Sequence, residues 1–96
     1  MAAATRGSGG VKVSVITAAE NNQLKVGEGT LRRLHIPNVG TTMTVDIYDH
    51  GSTTTNKIVE YVTADGKVNW ELNIPLDVGL RVVVGGTPGI VVVVWD

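Results

Sequence analysis

The chain has no cysteine and no phenylalanine, and only two tryptophans and two tyrosines. Without thiols there is no disulfide framework and no thiolate metal site. An excess of charge is missing too. Eight basic residues against nine acidic ones leave a net charge of −1, so nothing draws the chain generally to nucleic acid or to an anionic membrane. The longest apolar run, Ile90 to Trp95, falls well short of the roughly 20 residues that span a bilayer as a helix. The opening MAAATRGSGG lacks the apolar stretch of a secretory signal. At 96 residues there is room for one domain with one core.

What the chain does have is valine, isoleucine and threonine, with 43% apolar residues and 12 glycines. Side chains branched at Cβ are stiff at χ1 and fit a pleated surface better than a helix. Short alternating runs recur along the chain with turn residues between them. Met43, Val45 and Ile47 alternate with Thr42, Thr44, Asp46 and Tyr48, which predicts a strand with the first set facing the core. Val68, Trp70 and Leu72 form a second inward set, and Leu80, Val82 and Val84 a third. Leu31 to Ile36 breaks phase, and a bulge near Arg32–Arg33 reconciles its two halves. Ala64-Asp65-Gly66 lies between two such runs and reads as a hairpin turn. Gly85-Gly86-Thr87-Pro88-Gly89 reads as another turn. The expectation is an all-β chain: a small antiparallel β-sandwich or jelly roll of about seven to eight strands. Residues 11–96 form the domain, and residues 1–10 form an extended, flexible N-terminal arm without a core of its own.

Catalytic patterns are scarce. His35 and His50 are the two imidazoles, and Asp46, Asp49 and His50 stand together in DIYDH. Their spacing matches no metal-ligand pattern, and Asp and His at a strand exit ordinarily serve the turn and solvent. GSTTT lacks the Gly-x-Ser-x-Gly spacing of a nucleophile elbow. The glycine-rich 85–89 segment joins strands and opens no helix, so it is no phosphate cradle. Arg32-Arg33 is basic but isolated. No enzyme, cofactor or metal is expected.

The anomaly is the final run, GIVVVVWD. Alternation gives it two apolar faces, Ile90/Val92/Val94 and Val91/Val93/Trp95. Val91, Val93 and Trp95, with Val83 beside Arg81, are the expected outward set and the candidate interface. Ala2, Ala3, Ala4 and Arg6 of the arm join it as residues that order on a partner. A bare apolar strand at an edge is an aggregation hazard, so a second core face, a copy of the chain or a partner must cover it.

From Gly29 to Asp96 the chain also resembles a class of small tailed-bacteriophage proteins. The resemblance is carried by IYDHGS after a Thr-Val strand, by GLRVVVGGTP, and by the closing valine-rich strand. It implies a β-sandwich or jelly roll in the virion: a capsid decoration (cement) protein on the outer surface of the head, bound to the major capsid protein and typically trimeric. An extended arm suits that role. The alternative is a carbohydrate-binding β-sandwich of a phage tail or fibre, for which exposed aromatics would be the signature.

Overall fold

The computed structural model describes residues 4–6 and 10–96. The described residues form nine strands and one 3₁₀ turn: β1 (Ala4–Arg6), β2 (Lys12–Ile16), β3 (Asn21–Val26), β4 (Gly29–Asn38), β5 (Thr42–Tyr48), β6 (Lys57–Val62), the turn Thr63–Asp65, β7 (Val68–Leu76), β8 (Gly79–Thr87) and β9 (Ile90–Trp95). They make two antiparallel sheets, β1-β2-β9-β4-β7 and β3-β8-β5-β6. Setting aside the three-residue β1, each sheet has four strands. Pairing runs β2 with β9, β3 with β8, β4 with β7 and β5 with β6. One long hairpin has folded over on itself, which is the strand order of a jelly roll.

Each sheet turns one row of each strand inward, so the predicted inward sets meet in one core. Met43, Val45, Ile47, Leu80, Val82 and Val84 from one sheet face Leu31, Leu34 and Ile36 from the other, all at most 2% exposed. Leu31 and Leu34 share the core because of a bulge. Leu31 pairs with Trp95 and Arg33 with Val94, so β4 gains one residue on β9 at Arg32. The irregular spacing of LRRLHI is therefore a bulge, as expected.

The turns depart from the sequence reading at one place. β6 and β7 do not form a hairpin, because they belong to different sheets. Ala64-Asp65-Gly66 instead carries the chain over the end of the sandwich. The Asp65 carboxylate accepts the Val62 N–H at 3.0 Å, and the Tyr61 hydroxyl donates to the Gly66 carbonyl at 2.6 Å. Gly66 sits at φ 73°, where the same Asp-Gly pair that serves a hairpin serves a corner. Local turn chemistry does not say which sheet the next strand joins.

β9 reverses the expected phase. Val91 and Val93 are 0% exposed and Trp95 7%, so they point into the core, not outward. Ser14 and Ile16 point inward beside them, at 0% and 1%. The Trp95 indole N–H donates to the Ser14 hydroxyl at 2.9 Å, inside the sandwich. Both phases of IVVVVW are equally apolar, so alternation cannot choose between them. The core takes the phase that buries the largest ring and gives its N–H a partner. Ile90, Val92 and Val94 are left on the outer face.

Within the arm, the backbone of Ala4–Arg6 pairs with Val13–Val15 and extends the sheet sideways. It does not lie across the β9 face. Ala2 and Ala3 lie outside the described residues.

Candidate functional site

The outer face of the β1-β2-β9-β4-β7 sheet carries the apolar excess. Val13 pairs with Val94 and Val15 with Val92, so the four side chains form a block on the face opposite the core. Ile90 extends it along β9, and all five are partly buried by their neighbours. One lateral row reads Val13, Val94, Arg33, Glu71 by register, and the next Val15, Val92, His35, Asn69. Arg33 bonds Glu71 at 3.0 Å, and the His35 ring N–H (Nδ1) donates to the Val68 carbonyl at 3.1 Å. A valine block bounded by polar residues on the β4 and β7 side is the arrangement of an interface core with a rim. The sequence signal lies in the Ile90/Val92/Val94 phase of IVVVVW and in Val13 and Val15 of KVSVI, whose alternation by itself assigns no face.

Val83 faces outward, as expected, but on the other sheet, between Asn21 and Asp46. Its surroundings are polar. Lys57 reaches Glu60 at 3.0 Å and Asp46 at 3.3 Å, with its ammonium 5.8 Å from the centre of the Tyr48 ring. The Arg81 guanidinium donates to the Asn21 side-chain carbonyl. The structure does not bring Val83 together with the β2–β9 block.

The DIYDH cluster does not assemble either. Asp46 lies on the outer face with Lys57, whereas Asp49 is only 5% exposed. Its carboxylate accepts the N–H groups of Asp77 at 3.0 Å, Val78 at 2.9 Å and Gly79 at 3.1 Å. Burial pushes the Asp49 carboxyl up, but those three donors and the nearby His50 pull it below its ordinary value. Asp49 is therefore not the solvent-facing turn residue that its place at a strand exit suggests but a buried anchor tying the start of the 49–56 loop to the β7–β8 connection. His50 Nδ1 accepts from the Ser52 and Thr53 N–H groups, both at 3.1 Å. Among the described residues, no group of three or more His, Cys, Asp or Glu is placed to hold a metal ion.

Beside this anchor sits a residue that the sequence reading missed. The Gln23 side-chain amide faces three carbonyls, Lys25 at 2.7 Å, His50 at 2.9 Å and Leu80 at 3.1 Å. Two N–H bonds are shared among three acceptors, binding β3, β8 and the loop into one knot. Gly79 is required at its centre: a Cβ there would stand 2.7 Å from the Lys25 oxygen and 2.8 Å from that of His50. The Gln23 amide protons and the Asp49 carboxylate are spent on backbone groups, and the arrangement fixes loops. Comparison of the chain with protein-family models, curated proteins and solved structures gives no match.

Proposed function

We propose that this chain is a structural virion protein, a capsid decoration protein of a tailed bacteriophage that binds the assembled shell from outside. The observation that carries the reading is the outer block of Val13, Val15, Ile90, Val92 and Val94, on the face of its sheet opposite the core. Covering five partly buried aliphatic side chains recovers on the order of 0.5–1 kcal/mol each, about 3–5 kcal/mol in all before the cost of association. That is enough for repeated, individually modest attachment to a lattice of identical subunits. Such binding favours the assembled state alone and stabilises it by mass action. The resemblance of residues 29–96 to small phage virion proteins points the same way.

The carbohydrate-binding alternative finds less support. Of the four aromatic residues, Tyr61, Trp70 and Trp95 pack in or against the core, and Tyr48 is engaged by Lys57. Little aromatic surface remains for stacking on a sugar ring.

The test is co-sedimentation with purified assembled heads lacking the protein. Wild-type chain should pellet with the shells and raise the temperature at which they open. Val92→Asp and Val94→Asp should fold and stay in the supernatant. Equal retention of wild type and both variants, or no retention of the wild type, overturns the reading.

A further inference from the structure

The sheet that carries the valine block ends at β7, and no described strand pairs with the free edge of β7. Nine residues long, this edge differs from the neighbouring strand in a second way. Before the buried Leu76 at its end, its inward residues Val68, Trp70, Leu72 and Ile74 are only partly buried, while Leu31, Leu34 and Ile36 on β4 are 0% exposed. Trp70 meets Tyr61 edge-on at 5.9 Å. The apolar layer thins toward this edge instead of closing.

Edges of this kind invite another strand unless something blocks them. On β7 the blocking features are confined to one end. Asn73 takes a positive φ of 52°, and Leu72 and Asn73 together oppose the single residue Arg32, since Leu31 pairs with Ile74 and Arg33 with Glu71. Pro75 follows, without an N–H. Residues 68–71 are free of these features, and Lys67 stands at the bend just before the strand.

We propose that this edge pairs antiparallel with β7 of a second copy of the chain, in the two-fold register centred on Asn69. Charge selects the register. Centring on Asn69 sets Lys67 opposite Glu71 of the other copy, twice over, and Val68 beside Trp70 in the inner layer. Centring on Glu71 would set two carboxylates face to face, and centring on Trp70 would run Lys67 onto the kink at Asn73. Lys67 is exposed. Glu71 meets Arg33 through one oxygen and is 69% exposed, leaving its other oxygen for a cross-strand lysine. Opposite charges and apolar pairs directly across an antiparallel ladder are favourable, and like charges are not. This surface is distinct from the valine block, and the inference does not depend on the capsid reading.

The experiment uses the full chain, which has no cysteine of its own. Light scattering across a concentration series should show a monomer–dimer equilibrium. Asn69→Cys places two thiols across the two-fold axis, with Cβ atoms about 4.5–5.5 Å apart. At micromolar protein a short bis-maleimide should bridge it roughly tenfold or more faster than Thr44→Cys, exposed on the other sheet, because pairing raises the effective thiol concentration. Lys67→Glu should weaken the dimer by on the order of tenfold, with an unchanged circular dichroism spectrum. A strict monomer at every concentration overturns the proposal. So does a trimer, or a dimer in which Asn69→Cys is bridged no faster than Thr44→Cys.

Discussion

Replacing Asp49 by alanine tests the reading of the DIYDH cluster as architecture. The carboxylate is 5% exposed and accepts three backbone N–H groups from Asp77, Val78 and Gly79. A hydrogen bond to a charged group contributes a net of about 1.5–3 kcal/mol, and a buried donor left without a partner costs about 1–3 kcal/mol. Partial rehydration of the 77–78 connection offsets some of this, so Asp49→Ala should cost about 3–5 kcal/mol. That is a large share of the roughly 5–15 kcal/mol stability of a small domain. It should lower the melting temperature by roughly 12 °C or more. Asp49→Asn keeps the shape and one acceptor oxygen but turns an N–H group on the Asp77 N–H, and should cost less, about 1–3 kcal/mol. Acid separates the two roles of the group. Because the folded Asp49 carboxyl lies below its ordinary value, its contribution is complete above the unfolded value of about 3.9 and is lost as pH falls through the folded one. Asp96, lowered by Arg32, adds an acid slope of its own, so the informative quantity is the difference between wild type and Asp49→Asn. Urea unfolding of all three proteins from pH 7 down to pH 2 reads both effects. An Asp49→Ala protein within about 0.5 kcal/mol of wild type, or an acid profile for Asp49→Asn parallel to that of wild type, refutes the reasoning.

Three further outcomes follow from the same geometry. Val93→Asp places an unpaired carboxylate at a 0% exposed position and should leave no cooperative unfolding transition, while Val92→Asp, one residue away on the outer face, should keep its fold; circular dichroism and urea melts distinguish them. Trp95→Phe removes the indole donor to Ser14 and should cost about 1–3 kcal/mol; combined with Ser14→Ala in a double-mutant cycle, it should show a coupling of at least about 0.5 kcal/mol. Gln23→Glu turns a carboxylate on the carbonyls of Lys25, His50 and Leu80 and should destabilise by about 2–4 kcal/mol at neutral pH. Part of that loss should be recovered as acid protonates the new side chain into a donor, which thermal melts at pH 7 and pH 4 would show.

Local rules carried the reading of this chain a long way and stopped at identifiable places. TMTVDIY has one apolar phase, so its inward row of Met43, Val45 and Ile47 was legible residue by residue. LRRLHI needed a bulge to make sense, and the bulge is where the spacing put it. The all-β class followed from side chains that suit strands, joined by turns. IVVVVW, with two apolar phases, left the choice open, and the core settled it through the size of Trp95 and the partner that Ser14 gives its indole. Asp65-Gly66 fixed a turn without fixing its destination, because a corner between sheets uses the same backbone conformations as a hairpin. Asp49 and Gln23 looked like ordinary loop-end polar residues. Apart from the Lys25 carbonyl, two residues from Gln23, their partners lie 27 to 57 positions away, a separation at which no local pattern can pair them. The sequence by itself determined that this chain would be a sandwich of strands with more apolar surface than one core can take up. Only the tertiary structure decided which valines that surplus comprises, because strand order, set by burial summed over both sheets, chooses the face that turns inward.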